Sequence, residues 1–280
     1  MSSNSSEHTR FVTSVINAGG RATRLNDVFS QQQGKGIAKA TRLDIGSWSG
    51  GEPLKIIDHQ INQLLGQQAV DNIIVSAGDQ YQVADYISSQ YKGDDRVSIV
   101  AEEKSLGTAG DLISAVRLQP ELFGDILLVN NVDTIARIDY PALIAFFKQK
   151  QQLATIAVSE RRDTKNADAY LIGPYDTVLF SQEFDEHNPI SREVALSSTE
   201  YAAASTGIAV FDTAFVESFD WTPDMGESSV YKELLAGALS SGALTAFNNG
   251  TNFLRDVATK ETWNASRNDS ELQNELWYRP

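Results

Sequence analysis

Short apolar runs bounded by turn residues alternate along this chain with segments whose apolar positions recur at three- and four-residue steps. The runs Phe11 to Ile16, Asn72 to Ser76, Val97 to Val100, Ile126 to Val129 and Thr155 to Val158 predict buried strands. Leu54 to Leu65, Tyr81 to Ser89, Thr108 to Leu118 and Tyr140 to Lys150 carry the helical period. Strand, helix, strand alternation of this kind predicts an α/β fold with a mainly parallel sheet covered by helices on both faces. After about Glu160 the alternation becomes irregular. Tyr170 to Ile172, Val178 to Ser181 and Thr206 to Phe211 read as strands, Val230 to Leu239 and Lys260 to Leu272 as helices, with an apolar Ala243 to Phe247 segment between the helices. A mixed extension of the sheet is therefore expected, with no internal repeat.

Composition narrows the class. The 280 residues, 41% hydrophobic and 21% charged, suit one large or two small soluble domains at about 150 residues per domain. Twenty-three basic against 37 acidic side chains leave a net charge of -14, which repels nucleic acid and anionic membrane surfaces. Cysteine is absent, which excludes disulfides, thiol nucleophiles and thiolate metal sites, and the only histidines are His8, His59 and His187. Chemistry must then rest on carboxylates, amines, guanidinium groups or a hard metal. The polar opening stretch 1–10 reads as a disordered terminus without a signal segment, and no apolar run is long enough to span a bilayer, so a cytoplasmic location is expected.

Four segments could carry chemistry. In FVTSVINAGGRATRL, Phe11 to Leu25, a buried strand runs into Gly19-Gly20 and two arginines. Glycines there point backbone N–H groups at an anion and Arg24 can add a charge-assisted contact, although a strand followed by two glycines is also an ordinary tight turn. The order of residues is neither a dinucleotide fingerprint nor a Walker loop. Glu102 to Asp111 reads EEKSLGTAGD at a helix entry, where small residues admit a flat ligand or simply start a helix. Ile126 to Thr134, ILLVNNVDT, ends a strand in polar residues at the carboxyl edge, where open α/β sheets bind ligands. Asp133 there is a suitable hard-oxygen ligand for magnesium or else a cap for the helix near Tyr140. Asp256 in FLRDVATKETWNAS reads on its own as a helix cap, while Phe253 and Trp263 beside it read as packing residues.

Together these motifs resemble the sugar-1-phosphate nucleotidylyltransferases. Their signature L-A-G-G-x-G-T-R-L is matched by Ala18, Gly19, Gly20, Thr23, Arg24 and Leu25, with Ala22 in place of the third glycine. Lys39 stands at the family's lysine, with Lys35 as a competing candidate, and Gly51 to Leu54 matches the following turn. Leu106, Gly107 and Thr108 open the LGTAG element that lies against the nucleobase. Asn131 and Asp133 match the N-G-D metal motif with Val132 replacing its glycine, and Asp256 matches the second metal aspartate. On the sugar side, Thr206 and Gly207 resemble the N-A-G-I segment and Tyr170 the tyrosine of a sugar-facing strand. His187 or Asn188, or a nearby Arg161, Arg162 or Arg192, stands in for a missing phosphate-binding lysine.

The resemblance implies a Rossmann-like nucleotidyltransferase fold without a C-terminal β-helix. Its nucleotide part is expected over about 11–135, its sugar part over about 136–255 and a C-terminal helix over about 260–273. It further implies magnesium between Asp133 and Asp256, Arg24 and Lys39 on the triphosphate, and a nucleoside triphosphate and a sugar-1-phosphate as substrates, with no nucleic-acid or membrane partner and a homodimer as the expected assembly. The motifs are closest to those of mannose-1-phosphate and manno-heptose-1-phosphate guanylyltransferases, which favours GTP. The departures at Ala22, Val132 and the missing lysine leave open a nucleotide- or sugar-nucleotide-sensing module that has kept the fold and lost turnover.

Overall fold

The alternating pattern folds into one central sheet. In the computed structural model the described residues are 11–20, 39–47, 53–160, 169–181, 201–267, 269 and 271–272. In chain order they form β1 (Val12–Asn17), α1 (Lys39–Arg42), β2 (Asp44–Ser47), β3 (Pro53–Lys55), α2 (Ile56–Leu65), β4 (Asn72–Ser76), α3 (Tyr81–Gln90), β5 (Val97–Val100), α4 (Gly107–Leu118), β6 (Ile126–Asn131), β7 (Thr134–Ala136) and α5 (Tyr140–Lys150). There follow β8 (Ala154–Ser159), β9 (Ala169–Ile172), β10 (Val178–Ser181), β11 (Tyr201–Asp212), α6 (Thr213–Ser218), α7 (Leu235–Ser240), β12 (Leu244–Asn248), β13 (Leu254–Asp256) and α8 (Lys260–Arg267).

Among the described residues, nine strands make the main sheet. Its central path runs β10-β9-β11-β6-β1-β4-β5, and β12 joins through β8, which pairs with β11. The pairs β1·β4, β1·β6, β4·β5 and β8·β12 are parallel, whereas β11 runs antiparallel to β6, β8 and β9. The chain builds outward from β1 to β4 and β5, then returns to place β6 on the other side of β1. The carboxyl ends of β1 and β6 therefore mark the switch point, the place of the ligand crevice in α/β sheets. Strands buried on both faces need apolar residues on both, and two core clusters result. One, with Val12, Ile16, Ile57 and Phe147, lies on the α2 and α5 face. The other, with Val15, Ile113, Val129 and Phe211, lies on the α4 face.

Several expectations change in detail. Leu54 and Lys55 do not open a helix: they belong to β3, which pairs with β2, and α2 begins only at Ile56. Strand β11 is twelve residues long, starting well before Thr206, because its first residues pair with β9 while its later ones pair with β6. The segment read as one helix from Val230 begins as a π-helical turn over Val230–Leu234 before α7. Helix α8 ends at Arg267, Asp269 lies outside any helix, and its carboxylate accepts the backbone N–H groups of Glu271 and Leu272, which are helical again. None of the helices among the described residues is long and apolar enough to cross a membrane.

Candidate active site

The crevice is floored by the end of β1. The Ala18 N–H donates to the Ser76 carbonyl at 2.8 Å, tying the first signature residue to β4. Gly19 follows in so narrow a gap that a Cβ there would stand 2.8 Å from the Gly78 nitrogen and 2.9 Å from the Ala77 carbonyl oxygen. Glycine is thus required by close approach of two backbones. Gly20 is exposed, with open space around its Cα. Thr23, Arg24, Lys35 and His187 lie outside the described residues, as do Ala22, Asn188, Arg161, Arg162 and Arg192. Lys39 is the first residue of α1, followed by buried Ala40 and Thr41.

Beside this floor stands the amino end of α4. Leu106 is buried, and its N–H donates to Asp111 Oδ1 at 2.9 Å. Gly107 has φ +80, and a Cβ on it would stand 2.2 Å from the Ser228 carbonyl oxygen. The Thr108 hydroxyl accepts the Val230 N–H at 3.0 Å, and the Ala109 N–H donates to the Ser228 carbonyl at 3.0 Å. A Cβ on Gly110 would meet the Trp221 ring at 2.7 Å. The small residues of LGTAG are therefore needed for packing on the segment 221–230, and the element is also a helix start. Burial pushes the Asp111 carboxyl up to about 6, helped by the charges of Glu102, Asp79 and Glu227 and opposed by the Leu106 N–H.

Across the crevice, β6 ends at Asn131 and the chain turns through Val132 and Asp133 into β7. Gln60 of α2 holds this turn, its side-chain amide donating to the Asn131 carbonyl at 2.8 Å and the Thr134 carbonyl at 2.9 Å. The Asn131 amide donates to the Tyr231 hydroxyl at 3.2 Å. Strand β13 pairs antiparallel with β7, placing Asp256 opposite Thr134, and the Val257 N–H donates to the Asp133 carbonyl at 2.9 Å. Two aspartates distant in sequence are thereby brought side by side, both half-buried. Asp139 takes the Ala142 N–H at the start of α5, and Thr259 takes the Thr262 N–H at the start of α8. Asp256 Oδ1 instead accepts the Ala258 N–H at 2.6 Å. Phe253 is in the core, and Trp263 packs against it while donating to the Asp44 carbonyl.

Strand β11 supplies the fourth wall. Its register with β8 shifts between Ser205 and Ala209, and Gly207 sits in the irregularity at φ +79. A Cβ on Gly207 would stand 2.7 Å from Thr134 Oγ1 and 3.5 Å from Asn131 Cβ, so β11 touches the aspartate-bearing turn directly. Thr206 is fully buried, with its hydroxyl donating to the Ala157 carbonyl at 2.9 Å. Tyr170 is also fully buried, in the core on the α4 face. The structure thus gathers Ala18, Gly19, Asn131, Asp133, Asp256 and Gly207 around one crevice and puts the Tyr170 ring in the interior.

Sequence reasoning missed the residues that hold these pieces. Gln60 and Asp111 are polar residues on the buried faces of α2 and α4, the one visible signal of their roles. The aspartate pair offers hard oxygen donors suited to magnesium, which takes one or two carboxylates and fills its shell with water and phosphate oxygens. Among the described residues no group of three or more histidines and carboxylates converges on one point.

A nucleotidyl transferase family model matches residues 13–170, more than half of the chain. Among solved structures, the HddC protein of Yersinia pseudotuberculosis in complex with GMP-PN superposes with a TM-score of 0.65 at 19% identity, over 91% of this chain and 97% of that one. The inositol-1-phosphate CTP transferase of T. maritima gives 0.65 at 14% identity, over 95% of each chain. A putative glucose-1-phosphate thymidylyltransferase of Bacillus anthracis gives 0.66 at 17% identity, over 91% of this chain and 94% of that one. No curated relative matches by sequence. The doubly flanked sheet, the crevice at its switch point and the matched model together identify the chain as a member of the nucleotidyl transferase family.

Proposed function

We propose that this chain transfers a nucleotidyl group from a nucleoside triphosphate to a sugar-1-phosphate, releasing pyrophosphate and forming a nucleoside diphosphate sugar. The observation that carries this reading is the meeting of Asp133 and Asp256 through the β7·β13 pair, between the Gly19 turn and the Gly207 irregularity. A sugar-phosphate oxygen attacks the α-phosphorus in line, the bond to the bridging oxygen breaks, and pyrophosphate departs without a covalent enzyme intermediate. Positioning and charge neutralisation supply the rate. Asp133 and Asp256 would hold magnesium, which offsets phosphate charge when bound. The backbone at Gly19 and Gly20, with Arg24 and Lys39, would receive the triphosphate, and Gly207, with Thr206 buried behind it, would border the sugar.

GTP is the favoured donor, on the LGTAG resemblance and on a structural neighbour holding GMP-PN. Other neighbours are described by CTP and by thymidylyl transfer, so the fold itself accommodates several bases. The Val132 departure does not argue for lost turnover. Its side chain is buried in the core, and the non-glycine residues with positive φ among those described are Gln151, Tyr175 and Asp176. Glycine is not required at position 132. Magnesium-dependent pyrophosphate release, measured over the ribonucleotides and dTTP against glucose-, mannose-, N-acetylglucosamine- and heptose-1-phosphates, tests the reading. Turnover with one pair supports it; nucleotide binding without release from any pair would favour a sensing module instead.

A further inference from the structure

Asn17 closes β1 with a side chain that has nothing to bind. It is 8% exposed, and neither its amide nitrogen nor its carbonyl oxygen has a hydrogen-bond partner. Leaving such a group unpaired in the interior costs about 1–3 kcal/mol. The backbone of the same residue is satisfied, since its carbonyl accepts the Val132 N–H at 3.3 Å. The need therefore lies in the carboxamide alone. Asn17 also stands where the family signature has leucine, so an apolar residue fits the strand end and the amide departs from that signature.

The surroundings indicate which part of a ligand the amide meets. Alternation along β1 puts Asn17 on the same face as Val15, which belongs to the core cluster on the α4 side. Register places it between Ser76 of β4 and Asn131 of β6, on the row of residues that ends the three central parallel strands. Two residues on, Gly19 abuts Gly78, and a Cβ on Gly78 would stand 3.0 Å from Asp111 Oδ2. Glu102, Asp79 and Glu227 act electrostatically on Asp111, so this end of the crevice is acidic. On the α4 face such a field favours a neutral group with N–H donors, whereas the charge of Asp133 and Asp256 would be offset by magnesium. The Ser228 hydroxyl, also buried without a partner, belongs to the segment packed on Gly107.

We propose that the Asn17 carboxamide is a specificity-determining group that pairs with the donor-acceptor edge of the nucleobase, while the phosphates lie toward Asp133 and Asp256. This rests on the reading of the site as a nucleoside triphosphate site. A carboxamide presents an acceptor and two donors side by side, which matches a base edge carrying one of each.

The test is equilibrium binding of GTP, ATP, UTP and CTP in magnesium, without sugar phosphate, to the wild-type chain and to Asn17→Leu, with inorganic tripolyphosphate as a competitor lacking a base. The tightest nucleotide should weaken about tenfold or more in the variant, and the four should converge. Tripolyphosphate should bind both proteins alike, and the ligand-free variant should resist urea at least as well as wild type. Asn17→Ser, which keeps a small polar group, replaces the leucine variant should that one fail to fold. An unchanged ranking of the four nucleotides, or equal weakening of tripolyphosphate, overturns the assignment of Asn17 and leaves the proposed function standing. Absence of triphosphate binding by the wild-type chain overturns both.

Discussion

At the scale of single residues, three positions give sharp expectations. Asp133→Asn keeps the shape of the turn and removes one carboxylate of the pair, so turnover should fall about 100-fold or more while the urea midpoint stays close to wild type. Unfolding of this variant would mark Asp133 as structural and undo its assignment as a metal ligand. Gly107→Ala meets a positive φ and a carbonyl oxygen 2.2 Å from the new methyl. A destabilisation of about 2–4 kcal/mol in equilibrium denaturation follows from the strain and overlap combined. Asp111 gives a pH signature. Its folded carboxyl titrates at about 6, above its ordinary value of 3.8, so the fold holds the proton more tightly than the unfolded chain does. Stability from this group is present below the unfolded value and is lost as pH rises through about 6. Asp111→Asn retains an oxygen for the Leu106 N–H and carries no charge. Its advantage over wild type should be nil near pH 4 and grow to a few kcal/mol, on the order of 2–3, at pH 7. A constant difference across that range would count against the buried acid.

At the scale of elements, the aspartate-bearing turn is held from outside itself, by Gln60 of α2 and by β13. Gln60→Glu keeps size but replaces the donor of both carbonyl contacts. The magnesium concentration for half-maximal activity should rise by about tenfold, within the range for supporting groups around metal ligands, with a smaller change at saturating metal. An unchanged magnesium response would reduce Gln60 to packing. These elements also mark how far the sequence could be read. Strands β1, β4 and β6 were legible because each is a buried apolar run between turn signals, β5 because it is a short apolar run even at the half-exposed sheet edge, and the long helices because their periods are regular. The pairs β2·β3 and β7·β13 were not, since strands of three or four residues carry no period and exist only through distant partners. The opening of β11, Tyr201 followed by three alanines, has weak strand preference and is held by β9 and β8. Of the site, the glycines and aspartates were legible as motifs, whereas Asn17, Gln60 and Asp111 were hidden because pattern alone does not say which polar side chain in an apolar element faces a ligand, a carbonyl or nothing.

At the scale of the whole molecule, the crevice draws its walls from segments spread between residues 17 and 256, and a ligand filling it must tie them together. Magnesium with a bound triphosphate should therefore raise the midpoint of unfolding as a single transition. The gain is about 2.7 kcal/mol at a hundredfold excess over the dissociation constant, and neither magnesium nor nucleotide alone should match it. A scan over nucleotide concentration checks this. The twelve residues of β11 bear on how such proteins can be recombined. One continuous strand pairs with β9 at its start, β8 along its length and β6 at its end, and its irregularity at Gly207 presses on the turn before β7. Splicing two homologues within it would join halves whose offsets were set by different partners, and a slip of one residue exchanges the two faces of the strand. Junctions placed in the segment before Tyr201 or at Asp212–Thr213 would transfer the strand entire, so a library of hybrids cut there should yield folded members where one cut inside β11 yields few.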